Sequence, residues 1–480
     1  MVTESYPLMI HQTGEPAGWL EVHNPYDLSL IAKVATCDSS HIDKALTTAY
    51  GLFRNRDSWL PLDQRIDIFS KAIHLISKQR DVLALGAAEE GGKPLVDSQV
   101  EIARAIDGLK LCIDAMRAEN GHMPVVNGTA TTRQHLAFTT LEPIGVVVAV
   151  SAFNHPFNLI VHQIGPALAA GCPVIVKPAD DTPLSCLRLA SIFHQAGLPT
   201  EWLQVAITDS IPVAEHLVTA KRVGFFSFIG SAKVGWMLRS KLAPGTRCAL
   251  EHGGAAPAIV ADDADLEKAV SLLTKGAFYH AGQVCVSTQR IFVHKSVSKA
   301  FIKAMKKAAN KLATGPATDA STEVGPLIRP REVDRVEAWV KEAVEAGAKV
   351  VCGGKRISQT CYAPTILHIP PEDATVSQQE IFGPVVCIYD YEDLDQAIEQ
   401  ANSLPFAFQA AVFSDSNDTI MRAYKRLDAS AVMVNQHTAF RTDGMPFAGL
   451  KQSGLGVGGI HHTYMDMQIE KMLVMQNQAF

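Results

Sequence analysis

From residue 144 onward the chain alternates between short β-branched runs and amphipathic stretches of helical length, and this limits the fold more than any other feature. "PIGVVVAV", "PVIVK", "WLQVAI", "VGFFSFIG" and "RCALEHGG" read as strands of the buried type. Between them, "PFNLIVHQIGPALAAG", "PLSCLRLASIFHQAG", "IPVAEHLVTA" and "SAKVGWMLRSKL" carry apolar residues at helical spacing. Parallel strands cannot be joined by a tight turn, so each crossover takes a helix and both faces of the sheet become covered. Residues 255–440 repeat the style with a second set that includes "APAIVA", "RIFVH", "PVVCIYDYEDLDQAIEQANSL", "AAVFS" and "SAVMVN", which predicts a second α/β unit. In such sheets ligands bind beyond the carboxyl ends of the strands, near helix N-termini.

The flanking segments differ. Residues 1–120 read as mainly helical after a short extended start, and "VEIARAIDGLKLCIDAMRAENG" closes at Gly121. Residues 125–143, VVNGTATTRQHLAFTTLEP, turn extended, with Asn127-Gly128 as the turn of a projecting hairpin. The C-terminal "MQIEKMLV" alternates as well. A projecting hairpin needs its edges covered, so the two extended pieces are expected to pair, between subunits. Gly454–Gly459 is expected to be a loop, because no clear strand precedes it and no downstream acid completes a dinucleotide fingerprint.

Length and composition narrow the class. A chain of 480 residues has ample core and room for roughly two to four domains. The net charge of −6 includes no basic excess that would suit nucleic acid. The start, MVTESYPLMIH, lacks a signal-peptide pattern, and the apolar run Ile144–Phe153 is too short to cross a bilayer. Nine scattered cysteines without a C-x-x-C pair argue against a disulfide framework or zinc ribbon. A cytosolic (cytoplasmic) protein is expected, with a small-molecule substrate, no metal, and neither a nucleic-acid nor a membrane partner.

Several residues near strand ends suit chemistry. Cys285 lies in FYHAGQVCVSTQR; Asp265 caps the preceding helix and Gly282 is expected to stop it, so the thiol emerges on a loop. A buried structural cysteine is the alternative. Asn154 directly follows a buried strand and can donate its amide to a developing oxyanion, or simply make a turn. Glu251 ends a strand before two glycines, where a carboxylate acts as general base or as a paired structural group. Lys177 ends "PVIVK" and suits a ribose or phosphate, and Gly230-Ser231 opens a helix and suits a pyrophosphate.

Taken together, these segments resemble the aldehyde dehydrogenase superfamily over essentially the whole chain. "PIGVVVAVSAFNHPFN" is similar to that family's oxyanion-asparagine segment, "KPADDTPLS" to its ribose-binding turn and "FIGSAKVG" to its phosphate turn. "LEHGGAAPAIV" is similar to its general-base segment, "GQVC" to its nucleophile segment and "EIFGPVV" to its second ribose clamp. The resemblance implies an α/β fold of two doubly wound parallel-sheet domains. The Rossmann-like cofactor domain would comprise 1–124 and 144–253, and the catalytic domain 254–453. An oligomerisation arm would comprise 125–143 and 463–480, and a homodimer or homotetramer is implied with it.

The resemblance also implies roles. Cys285 attacks the aldehyde as a thiolate, and Asn154 with the Cys285 N–H holds the oxyanion. Hydride passes to the nicotinamide, and Glu251 activates water against the resulting thioester. Lys177 and Glu380 hold the two riboses, Gly230 and Ser231 the pyrophosphate, and Phe382 the nicotinamide ribose, with Phe153 and Asp180 at neighbouring cofactor positions. Phe153 stands where many members have Trp, Asp180 where NAD-preferring members often have Glu, and His252 where Leu is usual. A carboxylate at 180 would repel a 2′-phosphate, so NAD is expected, with NADP as the second choice.

Arg104, His155 and Arg441 are similar to the pattern in phosphonoacetaldehyde dehydrogenases. Converging on one pocket, they would favour a short aldehyde with a distal carboxylate, phosphonate or sulfonate. Surface ion pairing is the alternative for each arginine. That branch carries Arg immediately before its cysteine, and this chain has Val284. Phosphonoacetaldehyde, succinic semialdehyde, sulfonated aldehydes and neutral lactaldehyde or glyceraldehyde therefore stay open. A CoA-acylating dehydrogenase is a further reading, against which the presence of Glu251 argues for hydrolysis.

Overall fold

The structure, a computed structural model, describes residues 4–479 apart from 13 and 119. Its first large sheet runs, in spatial order, Leu203–Val205, Val174–Lys177, Val146–Val150, Val223–Ile229 and Arg247–Glu251, all parallel, with Gly454–Leu455 antiparallel at the edge. Side chains alternate across it. Val147 and Ala149 enter a core with Leu109, Phe157 and Ile164, while Val146 and Val148 face Ile42, Leu46 and Leu217 on the other side. Burial on both faces is why the central strand Val146–Val150 is apolar throughout rather than alternating.

The second sheet runs Lys349–Cys352, Thr365–His368, Val385–Tyr391, Thr288–His294, Ala256–Val260, Gln409–Phe413 and Ala431–Val434. All its neighbours are parallel except Lys349–Cys352, which pairs antiparallel with Thr365–His368. Its core gathers Ile259, Phe292, Phe301 and Ile388. Among the described residues no helix is long and apolar enough to cross a membrane.

Several local expectations need correcting. The extended start is larger than expected: Glu4–Tyr6, Gly18–His23 and Leu30–Thr36 form a three-stranded sheet before the helices begin at Ser39. The helix from Leu95 ends at Ala118, short of Gly121. Residues 125–143 make no hairpin; Asn127-Gly128 forms no turn, and the turn lies within 129–134. His135–Pro143 pairs instead with Gln468–Gln476 of the same chain, antiparallel and in unbroken register. The two extended pieces do pair, but within one chain rather than between subunits. The helix Ile460–Asp466, anchored in the first core by Ile460 and Tyr464, delivers the tail to Pro143. Gly454-Leu455 is a strand rather than loop, and a Cβ on Gly454 would stand 2.4 Å from the Leu250 carbonyl oxygen.

Candidate active site

Because the strands of the first sheet are parallel, their carboxyl ends share one edge, and a cavity of about 650 Å³ opens there. Phe153, Asn154 and His155 reach it from the end of Val146–Val150, Gly230 and Ser231 from Val223–Ile229, and Glu251 from the last residue of its strand. Cys285, Glu380, Phe382, Arg104 and Arg441 complete the wall from other elements. Lys177 and Asp180 do not line it. They form an ion pair with each other at 2.7 Å, while the wall at this point is Ala179 and Asp181.

The loop that carries Cys285 is built by backbone strain. The preceding helix, Leu266–Phe278, starts at Asp265, whose carboxylate accepts the Lys268 N–H at 3.1 Å. It ends at Phe278 rather than at Gly282, because His280 and Ala281 adopt left-handed φ values of 49° and 53°. Gly282 follows at +70°, where a Cβ would come within 2.1 Å of the Gly383 carbonyl oxygen. Left-handed non-glycine residues cost about 1 kcal/mol or more each and persist where the surroundings enforce them. Gln283 is that enforcement. Its amide donates to Pro326 O at 3.1 Å, its side-chain oxygen accepts the Ile328 N–H at 3.0 Å, and its carbonyl accepts the Asn154 amide at 2.9 Å. Cys285 is half-buried beside Val284 and Val286, which pack on Phe408 and Phe447.

Electrostatics distinguish the groups. Burial pushes Glu251 up to about 7, with Arg441 opposing the shift. Burial likewise raises Glu380 to about 8, although its carboxylate accepts the Gly254 N–H at 3.2 Å. Burial, then the Glu380 and Glu251 carboxylates, hold the Cys285 thiol up at about 12, with Arg441 pulling the other way. His252 Nδ1 donates to Gly230 O at 3.0 Å, and its buried Nε2 has no hydrogen-bond partner. Phe153 and Phe382 meet edge to face at 5.8 Å.

At the opposite end, Arg104 grips Asp443 through Nε at 3.1 Å and Nη2 at 2.8 Å. Asp443 also accepts from Asn158 at 3.2 Å and lies 2.6 Å from His162 Nε2. Arg104 is thus not a free cation: it is in the ion pair that the sequence offered as the alternative to substrate binding, with a buried partner rather than a surface one. Arg441 lies over the Phe447 ring at 3.8 Å, and its buried Nη1 has no hydrogen-bond partner. Burial lowers it to about 10, against the pull of Glu251, so it stays charged at neutral pH. Burial holds His155 well below its ordinary value, so it is neutral; its Nε2 lies 3.3 Å from the Tyr279 hydroxyl. The sequence reading missed Asp443, Gln283, Asn158, His162 and Tyr279. Only Gln283, two residues before the cysteine, had a positional signal.

Comparison with known proteins agrees along the chain. The model of the aldehyde dehydrogenase family matches residues 12–473. A 3-sulfolactaldehyde dehydrogenase of Priestia megaterium is 38% identical over 95% of this chain and 94% of its own. Among solved structures, aldehyde dehydrogenase 21 of Physcomitrella patens, in complex with its reaction product succinate, superposes with a TM-score of 0.95. It is 30% identical over 100% of this chain and 99% of its own. The glyceraldehyde-3-phosphate dehydrogenase GapN of Methanocaldococcus jannaschii, complexed with NADP, superposes with a TM-score of 0.90 at 33% identity. That match covers 95% of this chain and 99% of the other.

Proposed function

The chain belongs to the aldehyde dehydrogenase family and is an NAD(P)-dependent aldehyde dehydrogenase, and from that premise we propose that its substrate is a short aldehyde with a distal anionic group. The observation that carries this is Arg441, a half-buried cation in the Cys285 cavity whose Nη1 is buried and unpartnered. A buried charge without a partner is costly, and a substrate carboxylate or sulfonate would supply one. The relatives described above act on sulfonated or phosphorylated aldehydes or release a dicarboxylate.

The residues present fit a dinucleotide. Ser231 opens the helix Ala232–Arg239, and its hydroxyl makes no capping bond there, which leaves it for a pyrophosphate oxygen. A Cβ on Gly253 would come within 1.8 Å of the Glu380 carboxylate, so a side chain there would displace Glu380 from its present position. Gly230 and Ser231 hold the pyrophosphate, and Glu380, Phe382 and Phe153 surround the nicotinamide ribose. Lys177 and Asp180, behind the wall, serve the adenosine ribose. Asp180 already neutralises Lys177, the cation that a 2′-phosphate would need, which supports NAD over NADP. When bound, the nicotinamide supplies the hydride acceptor.

The Cys285 proton passes to Glu251 and from there to solvent, the thiolate adds to the aldehyde carbon, and the oxyanion takes the second N–H of the Asn154 amide together with the Cys285 N–H. The first amide N–H stays on Gln283 O and fixes the orientation. With the thioester formed, Glu251, poised near neutrality, removes a proton from the attacking water. Arg441 holds the far end of the substrate.

The test compares kcat/KM for succinic semialdehyde and butanal, which are equal in length and differ in charge. Arg441→Ala is expected to cost the anion about tenfold or more, about 1.4 kcal/mol, and the neutral aldehyde far less. Equal loss for both would dismiss the anionic reading in favour of neutral substrates such as lactaldehyde. Cys285→Ala is expected to abolish oxidation while cofactor still binds. Acyl-CoA appearing in place of free acid when CoA is added would favour the acylating alternative.

A further inference from the structure

Resting on the anionic reading, the next question is how many negative charges the site accepts. Two arginines line the substrate end, but they are not equivalent. Arg104 turns its Nε and Nη2 onto Asp443, whose side chain is 3% exposed and stands behind the wall. Burial opposes ionisation of Asp443, yet the His162 hydrogen bond and Arg104 outweigh it, so the carboxylate stays charged. Of the other lining groups at this end, His155 is neutral, and Asp97 faces the compensating Lys275. Val284 contributes only apolar surface. Among the described residues at this end neither Arg441 nor Lys275 has a carboxylate hydrogen-bonded to it, but Lys275 stands against Asp97, which leaves Arg441, with its unpartnered Nη1, as the cation open to a ligand.

We propose that Asp443 is a specificity-determining residue: its two-point grip on Arg104 leaves one uncompensated cation, so the site selects aldehydes whose distal group is a monoanion, sulfonate or carboxylate, over dianionic phosphonate or phosphate. A second negative charge would enter a desolvated end with no cation to meet it, and like-charge juxtaposition of that kind costs several kcal/mol in recognition generally. Asp443 does not touch substrate; it acts through Arg104.

Sulfoacetaldehyde and phosphonoacetaldehyde test this, being near-isosteric and differing by one charge at about pH 8, above a second ionisation expected near about 6 as for phosphate esters. Wild type is expected to favour the sulfonate in kcat/KM by about tenfold or more, and Asp443→Asn to bring the ratio towards unity by freeing Arg104. An unchanged ratio in a variant that keeps its Tm and binds NADH would overturn the proposal. Should that variant fail to fold, wild type alone decides. Its sulfonate preference must grow from about pH 5.5 to about pH 8 as the phosphonate loses its second proton, since Glu251 titration cancels in the ratio. A flat ratio overturns the proposal. Arg441→Met separates the two readings: it should lower both anions relative to propanal, and failure there removes the anionic reading itself, whatever Asp443 does.

Discussion

At the scale of single residues, the site is a set of charges arranged to bias one another. Glu251, raised by burial to about 7 and held there against Arg441, is a base only when deprotonated. Acyl-enzyme hydrolysis should therefore rise with pH through about 7 and level off above it. Arg441 lowers the Glu251 value, so Arg441→Met should move that limb to higher pH. The measurement is kcat against pH with saturating propanal, which does not need Arg441 for binding; an unmoved limb would detach Glu251 from the rate. Glu380 acts on Cys285 in the reverse sense. Its carboxylate is the largest influence after burial keeping the thiol protonated, so Glu380→Gln should lower the thiol pKa. At a pH above the Glu380 value of about 8, where that carboxylate is ionised, alkylation of Cys285 by iodoacetamide should speed up severalfold, and a rate equal to or below wild type would refute that coupling.

At the scale of elements, buried carboxylates join helices that the chain order keeps apart. Glu101, in the helix Leu95–Ala118, accepts the Phe157 and Asn158 N–H groups at 2.9 Å each, at the start of the helix Asn158–Ala170. Its other oxygen takes the ammonium of Lys93, and both side chains are fully buried. This pair ties down the turn that carries Asn154 and His155. Glu101→Ala would orphan Lys93 and free the helix start, at a cost of about 3–5 kcal/mol, read as a large drop in Tm. Glu101→Gln, which keeps an acceptor, should lose less, and equal losses would contradict this account. Such links explain what the sequence did and did not reveal. The βα alternation was legible because burial on both faces writes itself into every strand, and Glu251 and Asn154 stood out as polar residues ending such runs. The partners were not legible. Asp443 meets Arg104 across 339 residues, and nothing in "FRTDGMP" marks its Asp as different from any loop acid. Gly454-Leu455 read as loop because its strand character comes wholly from pairing with Leu250 and Glu251. The left-handed turn at His280–Gly282 was missed because Ala gives no sign of a positive φ and His, though enriched there, adopts one in only a small minority of positions.

At the scale of the whole molecule, the ribbon of His135–Pro143 and Gln468–Gln476 stands as a two-stranded sheet of its own. Its inner side is occupied, since Ala137 and Thr139 are buried and the Thr139 N–H donates to His122 O at 2.8 Å. The outer strand is not. Met472, Leu473 and Val474 are 53%, 47% and 47% exposed, and Phe138, directly opposite Leu473, is 36% exposed. A long apolar edge strand left bare invites pairing with another chain, and a second copy is expected to cover it. In a two-fold contact each residue is buried twice, so Leu473→Lys removes two leucines' worth of burial, about 2 kcal/mol apiece, and adds two charges. A loss of about 4 kcal/mol weakens association roughly a thousandfold. Light scattering at micromolar concentration should therefore find wild type as a dimer or tetramer and Leu473→Lys shifted towards monomer, with its cofactor still bound. A monomeric wild type, or a variant whose mass does not change, would leave the ribbon a structural brace of the single chain rather than a surface for a second one.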